Sequence, residues 1–519
     1  MKSDQDLYKR LRDLPKEQLW DVEVARFDAA TPRERMSSVA VIRAVGMIFG
    51  RFGSAEEKLK VSGWLVSLLG DEQEKIRRYA ANALPKIGAG EQAEEKMIAV
   101  IKNTREEREQ RHFGRALEKV GGAATLALAG EGILPKLTEQ KVRAGVLRRN
   151  QPVSLNLNAP IPTQGSLLIH LRCRRGLETC VAEEAGEKLP AREGFRIGDV
   201  RPGYVTVHAE QECSLAKLYR IRTFATLGFR IGMLSDADAD GSGWVEALAS
   251  CIASTRARDL MKSATEGMPR YRIDFPTRGH QRGAIRRVAE RAYELAPEIL
   301  NDSREAPWSV DVIPTGEGRK ESFVELRPRL YPDPRLAYRQ DDIPAASHPP
   351  LAACMARLAG HRAKEVVWDP FCGSGLERVE RGLLGGVQAL YGTDLDPKAV
   401  AIARANIVSA GLSDVHVNVV SCDFREAFTP GNATGIRPGG ISLIITNPPL
   451  GRRVRVKDLR GLFDDLYRVA SAALTPGGRL ILANPLRTGP SDPSLKLAYR
   501  QAVDMGGFEC RLEMYRKVR

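Results

Sequence analysis

The residues best suited to do chemistry lie in the last third of the chain. In EVVWDPFCGSGLERVERGLLGG an apolar run, Val366 to Trp368, ends in Asp369 and passes Phe371 into a tight turn, Gly373-Ser374-Gly375, ahead of a helical pattern. A strand, glycine-rich turn and helix in that order bring a nucleotide-like ligand to the carboxyl edge of a sheet. Glycine at 373 and 375 lets the backbone approach a ligand where a Cβ would clash. Next, VQALYGTDLD reads as a second strand ending in Asp394, 21 residues beyond Gly373. A carboxylate there accepts hydrogen bonds from both hydroxyls of a ribose. A third strand, VHVNVVSCDF, ends in Asp423 and Phe424, an acceptor and a flat face suited to adenine. One glycine loop is a weak signal, whereas three successive strand ends with fitting residues are a strong one.

The spacing matches neither GxGxxG nor the phosphate loop GxxxxGK[ST]. That disfavours a dinucleotide or a nucleoside triphosphate and points to adenosine without a phosphate tail, a description that S-adenosylmethionine meets. The fourth strand, ISLIITN, runs into NPPLG at residues 447–451. Pro448 and Pro449 remove two backbone donors and stiffen the turn, so its carbonyls become fixed acceptors, and Asn447 adds a side-chain acceptor. Converging acceptors suit a planar exocyclic amine whose lone pair must turn toward an electrophile. A sulfonium is already activated, so the protein mainly supplies alignment for in-line displacement. Alone, Asn-Pro-Pro after a strand is an ordinary turn. Behind three matching strand ends it reads as part of a site.

These residues need elements to hold them. The chain has 519 residues, which at about 150 per domain suggests three or four domains. Hydrophobic residues make up 43% and charged residues 28%, globular values that exclude a wholly disordered, coiled-coil or collagen-like chain. Lys and Arg number 79 against 65 Asp and Glu, a net charge of +14. That excess favours a polyanionic partner, nucleic acid or an anionic membrane surface. No stretch approaches the roughly 20 apolar residues that span a bilayer, and the first residues lack a signal peptide's apolar core. The eight cysteines form no CxxC pair, which fits thiols in a reducing compartment and no metal site. A cytoplasmic protein is expected.

The first quarter repeats. Gly53, Gly88 and Gly121 stand 35 and 33 residues apart, each closing a helix-period apolar stripe such as Ile76, Ala80, Ala83, Leu84 and Ile87. Behind the first two, second helices read over Leu59 to Leu69 and Ala93 to Ile101. Helix pairs at this period predict an α-solenoid, and DEQEKIRRYAANALPKIGAGEQAEEKMIAVI resembles a HEAT repeat. From Ile133 to Gly165 the pattern breaks into a linker. SLLIHLRC, YVTVHAE, WSVDVIP and ESFVELRPRL read as strands, RGLETCVAEEAGEKL as a helix, and LAKLYRIRTFATLGFRI as a basic helix running into a strand. The sharpest basic segment carries Arg270, Arg272, Arg278, Arg282, Arg286, Arg287 and Arg291, with Tyr271, Phe275 and His280 interleaved. Arginines at helical spacing hold phosphates and aromatics offer stacking faces, although a charge run is as readily a solvated helix face.

The motifs DPFCGSG and TNPPLG, in that order and separation, resemble those of class I S-adenosylmethionine-dependent methyltransferases acting on exocyclic amines of nucleobases. Within them the chain resembles the THUMP-domain RNA guanine 2-amino methyltransferases. CRRGLETCVAEEA with LYRIRTFATLGFRI is similar to the ferredoxin-like unit that precedes a THUMP domain, and FPTRGHQRGAIRRVAERAYE is similar to THUMP itself, an RNA-binding module. LYPDPRLAYRQDDIPAASHPPLAACMARLAG resembles the segment leading into the catalytic domain, a helix closing one side of the cofactor pocket. The resemblance spans roughly residues 166–519. With the repeats, which are not part of that family's usual core, the chain reads as a multidomain α and α/β protein: HEAT-like repeats over 1–132, a linker over 133–165, a ferredoxin-like plus THUMP-like RNA-binding unit over 166–335, and a Rossmann-like methyltransferase with a mainly parallel sheet over 336–519.

The resemblance further implies that Asp369, Phe371, Gly373 and Gly375 line the methionine and ribose end of the cofactor. Asp394 would hold the ribose, Asp423 and Phe424 the adenine. Asn447 and the Pro448 carbonyl would hold the target amine, with Pro449 and Leu450 completing the turn. Arg278, Arg282, Arg286 and Arg287, with Arg452 and Arg453 after the turn, would grip RNA, either rRNA or tRNA, and the repeats would meet a protein or RNA partner. Two departures stand out. Leu450 occupies a position where the family usually has an aromatic that stacks on the flipped base, and no seventh strand can be placed near GFECRLEMYRKVR. Two alternatives follow: methylation of adenine's 6-amino group in RNA or DNA, and a catalytically silent RNA-binding scaffold.

Overall fold

The Val-, Ile- and Leu-rich runs of the last third form a mixed sheet in the computed structural model of the chain. It describes residues 2–88, 90–163, 165–235, 241–276, 281–316, 320–344, 346–412, 414–451 and 456–518. The strands of this sheet are β1 (Glu365–Asp369), β2 (Val387–Asp394), β3 (His416–Ser421), β4 (Ile441–Thr446), β5 (Leu474–Asn484), β6 (Leu495–Asp504) and β7 (Glu509–Lys517). Their order is β3-β2-β1-β4-β5-β7-β6. β1 to β5 run parallel, and β7 is antiparallel to both β5 and β6. Direction of winding reverses between β1 and β4, and a crevice opens there beyond the carboxyl ends.

Both faces of the sheet are covered, as a parallel sheet requires. Trp368, Ile444, Leu480 and Leu482 point into one core with the helix Leu459–Ala473. Their neighbours Val367, Leu443, Ile445 and Ile481 point into another with the helix Pro349–Leu358. This is the period-two alternation of a strand. The seventh strand, absent from the sequence reading, is present as β7. It is hard to see because β6 is a largely exposed edge and β7 interleaves charge with buried Cys510, Leu512 and Tyr515.

Residues 157–230 join this sheet in one compact unit, Leu157–Arg230 with Leu330–Arg519. Phe195–Arg201, Tyr204–Ala209, Leu167–Arg172 and the start of Thr226–Ser235 make an antiparallel sheet, packed by the helix Glu178–Lys188. Gly176, at φ +94°, lets the chain pass against β6, where a Cβ would fall 1.9 Å from the Ala502 carbonyl oxygen. The basic helix read in LAKLYRIRTFATLGFRI is only one turn, Leu215–Leu218. Ile221 and Phe224 are buried beyond it, and the Arg335 guanidinium donates to the Phe224 carbonyl at 2.7 Å in place of a helical partner.

The other unit joins Met1–Asn156 to Ile231–Arg329. Helices Ala40–Phe52, Glu74–Ile87, Glu107–Val120 and Lys136–Asn150 pack in sequence as one row. Ala55–Leu68, Glu91–Asn103 and Ala123–Leu128 pack against them. Gly53, Gly88 and Gly121 all cap helices, but only Gly88 is left-handed, at φ +91°. The other two are needed for close approach: a Cβ would lie 2.5 Å from the Phe49 carbonyl oxygen and 2.3 Å from Thr125 Oγ1. Lys136–Asn150, inside the stretch read as a linker, is a helix. It contacts both Glu107–Val120 and Arg282–Leu295, so it has no one-sided apolar stripe to betray it. Its Arg148 pairs with buried Asp302 at 2.7 Å.

In this unit the strands Glu321–Pro328, Trp308–Pro314, Arg270–Asp274 and Leu300–Asn301 lie side by side in that order, and Ser154–Leu155 pairs with Thr265–Glu266. Two of the aromatics expected to stack on bases turn into the interior. Tyr271 is fully buried in the strand and Phe275 is buried in a stack with Trp244, centroids 5.9 Å apart. Neither offers a face to a base. Among the basic residues, Arg270 is buried and donates to the Gln151 carbonyl, and Arg291 is taken by Glu246 and Glu294.

Candidate active site

The carboxyl ends of β1, β2, β3 and β4 surround a cavity of about 960 Å³, near the upper end of ligand-binding clefts. Phe371, Gly373, Asp394, Asp423, Phe424, Asn447, Pro448, Pro449 and Leu450 all line it. Residues separated by some 80 positions in sequence are thus gathered because each sits at or just after a strand's carboxyl end. Asp369 and Gly375 stand behind this wall. Asp369 is fully buried, accepting from the Thr446 hydroxyl at 2.6 Å and the Phe371 N–H at 3.1 Å. It ties β1 to β4 and shapes the turn. Gly375 caps the helix Leu376–Leu383 in the left-handed region at φ +88°.

The side of the cavity at β2 is rich in acceptors. Asp394 receives the Gly373 N–H at 2.9 Å on one carboxylate oxygen and the Asp396 N–H at 3.0 Å on the other. Each oxygen keeps lone pairs for a further donor. Phe371 and Phe424 form a tilted pair with centroids 4.8 Å apart, a flat apolar boundary beside those acceptors. Asp423 is partly occupied, pairing with Arg425 at 3.1 Å. Gly392 in β2 leaves room for the Arg378 guanidinium, which a Cβ would meet at 2.1 Å.

At the β4 end, the Asn447 amide nitrogen donates to Ser347 Oγ at 2.9 Å. The Asn447 carbonyl oxygen is buried with no hydrogen-bond partner among the described residues. Ser347 in turn hydrogen-bonds Glu377. Serine therefore fixes the amide with its oxygen uncommitted at the cavity. A buried, unpartnered acceptor costs about 1–3 kcal/mol unless a donor arrives.

Burial dominates the electrostatics. It pushes the Glu377 carboxyl up to about 7, helped by the charge of Asp369 and opposed by Ser347. Burial likewise lifts Asp369 to about 6 against the pull of Arg378. It takes the Cys372 thiol up to about 12, so that sulfur stays protonated. His348, which lines the cavity, is held down to about 4 by burial and by Arg174, Arg335 and Arg339. It is a neutral imidazole at pH 7.

Ser347, His348, Glu377 and Phe508 line the cavity and escaped the sequence reading. Glu377 had a signal: Leu376–Leu383 buries Glu377, Arg378, Glu380 and Arg381, an unusual load of charge for a helix on a sheet. Glu380 is matched by Arg222 at 2.7 Å and Arg381 by Glu365 at 2.6 Å. Phe508 had none, since it comes from the β6–β7 turn. Arg282, Arg286 and Arg287 lie far along the chain on an exposed helical face. Arg278, Arg452 and Arg453 fall outside the described residues. Among the described residues, no helix is long and apolar enough to cross a membrane, and no group of three His, Cys, Asp or Glu could hold a metal ion.

Comparison with known proteins finds a family match on this part of the chain. Residues 336–492 match the UPF0020 family, described as an RMKL-like methyltransferase domain. A tRNA (guanine(6)-N2)-methyltransferase of Thermus thermophilus is 33% identical over 175 residues, covering 33% of this chain and 50% of that protein. A tRNA (guanine(10)-N2)-dimethyltransferase of Methanothermobacter thermautotrophicus is 29% identical over 193 residues, 37% of this chain and 50% of that protein. The chain thus spans about half the length of these curated relatives. Among solved structures, TrmN from Thermus thermophilus superposes with a TM-score of 0.51 at 24% identity, over 68% of this chain and all of that one. This likeness is one of fold.

Proposed function

We propose that the chain is an S-adenosylmethionine-dependent RNA methyltransferase that transfers one methyl group to the exocyclic 2-amino group of a guanine in structured RNA, tRNA or rRNA. The observation that carries the reading is the uncommitted, buried Asn447 oxygen in the same cavity as the Asp394 carboxylate. The residues present fit the cofactor: Asp394 would hold the ribose hydroxyls, Phe371 and Phe424 would take the adenine with Asp423 beside it, and Gly373 leaves the wall open. Asp369 and Gly375 shape that wall from behind. The cofactor supplies an electrophilic methyl group on a sulfonium. The relatives' names, both guanine-N2 methyltransferases of tRNA, support this substrate class.

Asn447 then does the orienting. Its oxygen accepts one amine N–H and the Pro448 carbonyl the other, so the nitrogen lone pair turns out of the base plane toward the methyl carbon. With the amine so held, its one surplus proton would pass to water at the open side of the cavity once the methyl group has been received. Ser347 is a positioning residue, because a rotated amide would present N–H groups to the amine and repel it. Leu450 and Phe508 line the same cavity, and Phe508 would be the aromatic beside a base swung out of its stack.

The remaining assignments follow from this reading: HEAT-like repeats over 1–132, the segment 133–165, ferredoxin-like and THUMP-like RNA-binding parts over 166–335, the catalytic domain over 336–519, and a cytoplasmic setting. Arg282, Arg286 and Arg287 would contact RNA phosphates. The test is tritium transfer from labelled S-adenosylmethionine into total RNA of a strain lacking the protein, followed by nucleoside analysis. Label in 2-methylguanosine is the expected result. Label in 6-methyladenosine would move the target to adenine, and no label with the cofactor still bound would make the chain a scaffold.

A further inference from the structure

Away from the cavity, the row of helices in the first unit carries a second concave site of about 450 Å³. Its lining comprises Arg43, Lys75, Arg78, Lys86, Arg108 and His112, with Tyr79, Asn82 and Ala83 and no carboxylate. The pattern is written in the sequence. Lys75, Tyr79, Asn82 and Lys86 fall at i, i+4, i+7 and i+11 on the helix Glu74–Ile87, and Arg108, His112, Arg115 and Lys119 fall at the same intervals on Glu107–Val120. That spacing puts each set on one stripe of its helix. Close packing brings the stripes together. A Cβ at Gly46 would meet the Ala83 Cβ at 2.7 Å, and one at Gly50 the Lys86 carbonyl oxygen at 2.5 Å, so Arg43 on Ala40–Phe52 is drawn against the next helix.

The cations there are poorly compensated. Among the described residues, Arg43, Lys86, Arg108, Arg115 and Lys119 make no ion pair; Arg43 instead lies over the Tyr8 ring at 3.9 Å. Arg78 has Glu74 at 2.8 Å, and Lys75 donates to the Met36 carbonyl. Burial, Arg43 and Lys119 all pull the Lys86 ammonium below its ordinary value. The His112 ring is lowered by burial and by Arg78, Arg115 and Arg108. Groups that repel one another in a concave site bind an anion that spans them more tightly than scattered surface charges would.

We infer that this cradle on the helical row binds the sugar–phosphate backbone of the RNA substrate, with Arg43, Lys86 and Arg108 each engaging a phosphate. The inference rests on the proposed RNA methyltransferase reading. RNA is the occupant that the chemistry favours: the cationic donors come from three helices, no carboxylate lines the site, and Tyr79 is the one aromatic among them. Contacts to phosphate carry no sequence information, so the cradle would set affinity and orientation while the cavity selects the base.

The test uses the full chain and a tRNA transcript, with binding followed by fluorescence anisotropy from 50 to 300 mM salt. R43Q/K86Q/R108Q is compared with K58Q/K60Q/K96Q, which removes the same charge from the helices packed against the row. Loss of three phosphate contacts lowers the slope of log affinity against log salt by about 2–3 and weakens binding by up to about 100-fold. The second variant is expected to bind as the wild type does, and unchanged cofactor affinity and circular dichroism would confirm that both fold. Equal loss in the two variants, or none in the first, overturns the cradle. So does retained tRNA binding together with capture of a polyaspartate peptide at the cradle, which would assign it to an acidic protein. Cradle-dependent binding by a wild type that transfers no methyl group would instead overturn the catalytic reading alone. Wild-type transfer with unaltered binding in R43Q/K86Q/R108Q would overturn only the cradle.

Discussion

Replacing Asp394 separates cofactor recognition from folding, because its two carboxylate oxygens have two kinds of partner. The Gly373 and Asp396 N–H groups are present in free and bound protein alike. Losing them in Asp394→Ala therefore falls on stability. Asp396 is exposed and its N–H turns to water, while the half-buried Gly373 N–H loses about 1–3 kcal/mol, a drop of a few degrees in Tm. On the proposed reading the further partners of Asp394 are two ribose hydroxyls, present only in the complex, so their loss falls on Kd. Hydrogen bonds to a charged group contribute about 1.5–3 kcal/mol each, so two give about 3–6 kcal/mol, or about 10²–10⁴-fold in Kd. Asp394→Asn, which keeps one acceptor, should lie between. Calorimetric titration of S-adenosylmethionine into the three proteins, with melting curves alongside, measures both quantities. A Kd for Asp394→Ala within twofold of the wild type, in a folded protein, would refute the ribose assignment and with it the placement of the cofactor.

Four further outcomes follow. Asn447→Ala should lower methyl transfer by about 10²–10³-fold in kcat, the usual cost of one transition-state hydrogen bond, and leave cofactor Kd within twofold; a parallel loss of cofactor affinity would show that Asn447 belongs to the cofactor site. Phe508→Ala should lower kcat/KM for RNA by about 5–150-fold, the equivalent of about 1–3 kcal/mol of stacking, with recovery in Phe508→Tyr; an unchanged value would leave the base to Leu450. Neutralising Arg282, Arg286 and Arg287 together should flatten the salt dependence of RNA binding by about 2–3 in slope, and an unchanged slope would remove that helix from the interface. The buried Glu377 carboxyl, held up to about 7, binds its proton more tightly in the folded than in the unfolded chain. Its ionisation therefore removes stability as pH rises from about 4.5 through 7. Glu377→Gln should melt close to the wild type at pH 5 and increasingly above it at pH 8; a Tm difference independent of pH would mean that Glu377 does not titrate in the fold.

Much of the site was legible because its chemistry is local. Glycines at a strand–helix turn, an acid at a strand's end and Asn-Pro-Pro after an apolar run each act through their own backbone neighbourhood. Fixed strand order then carries them to one edge. Less legible were elements whose pattern is shared with a second neighbour. Lys136–Asn150 is buried on two sides and loses its one-sided stripe, and β6 and β7 pair in a polar hairpin that reads like loop. The basic segment misled in part, since charge and aromatic type do not reveal facing: Tyr271 and Phe275 fill the interior while Arg282, Arg286 and Arg287 stay outside.

By itself, the sequence determined the succession of β1 to β4, the acidic residues at their ends and the Asn-Pro-Pro turn, because period, turn chemistry and strand-end residues are short-range properties. Only the tertiary structure decided which groups share one volume. Ser347 reaches Asn447 across 100 residues and leaves its oxygen uncommitted, and Phe508 enters the same cavity from the β6–β7 turn. Burial did the rest. Glu377 and Asp369 hold their protons toward neutrality because the fold removes water from around them, a solvation effect that depends on neighbours brought in from every part of the unit.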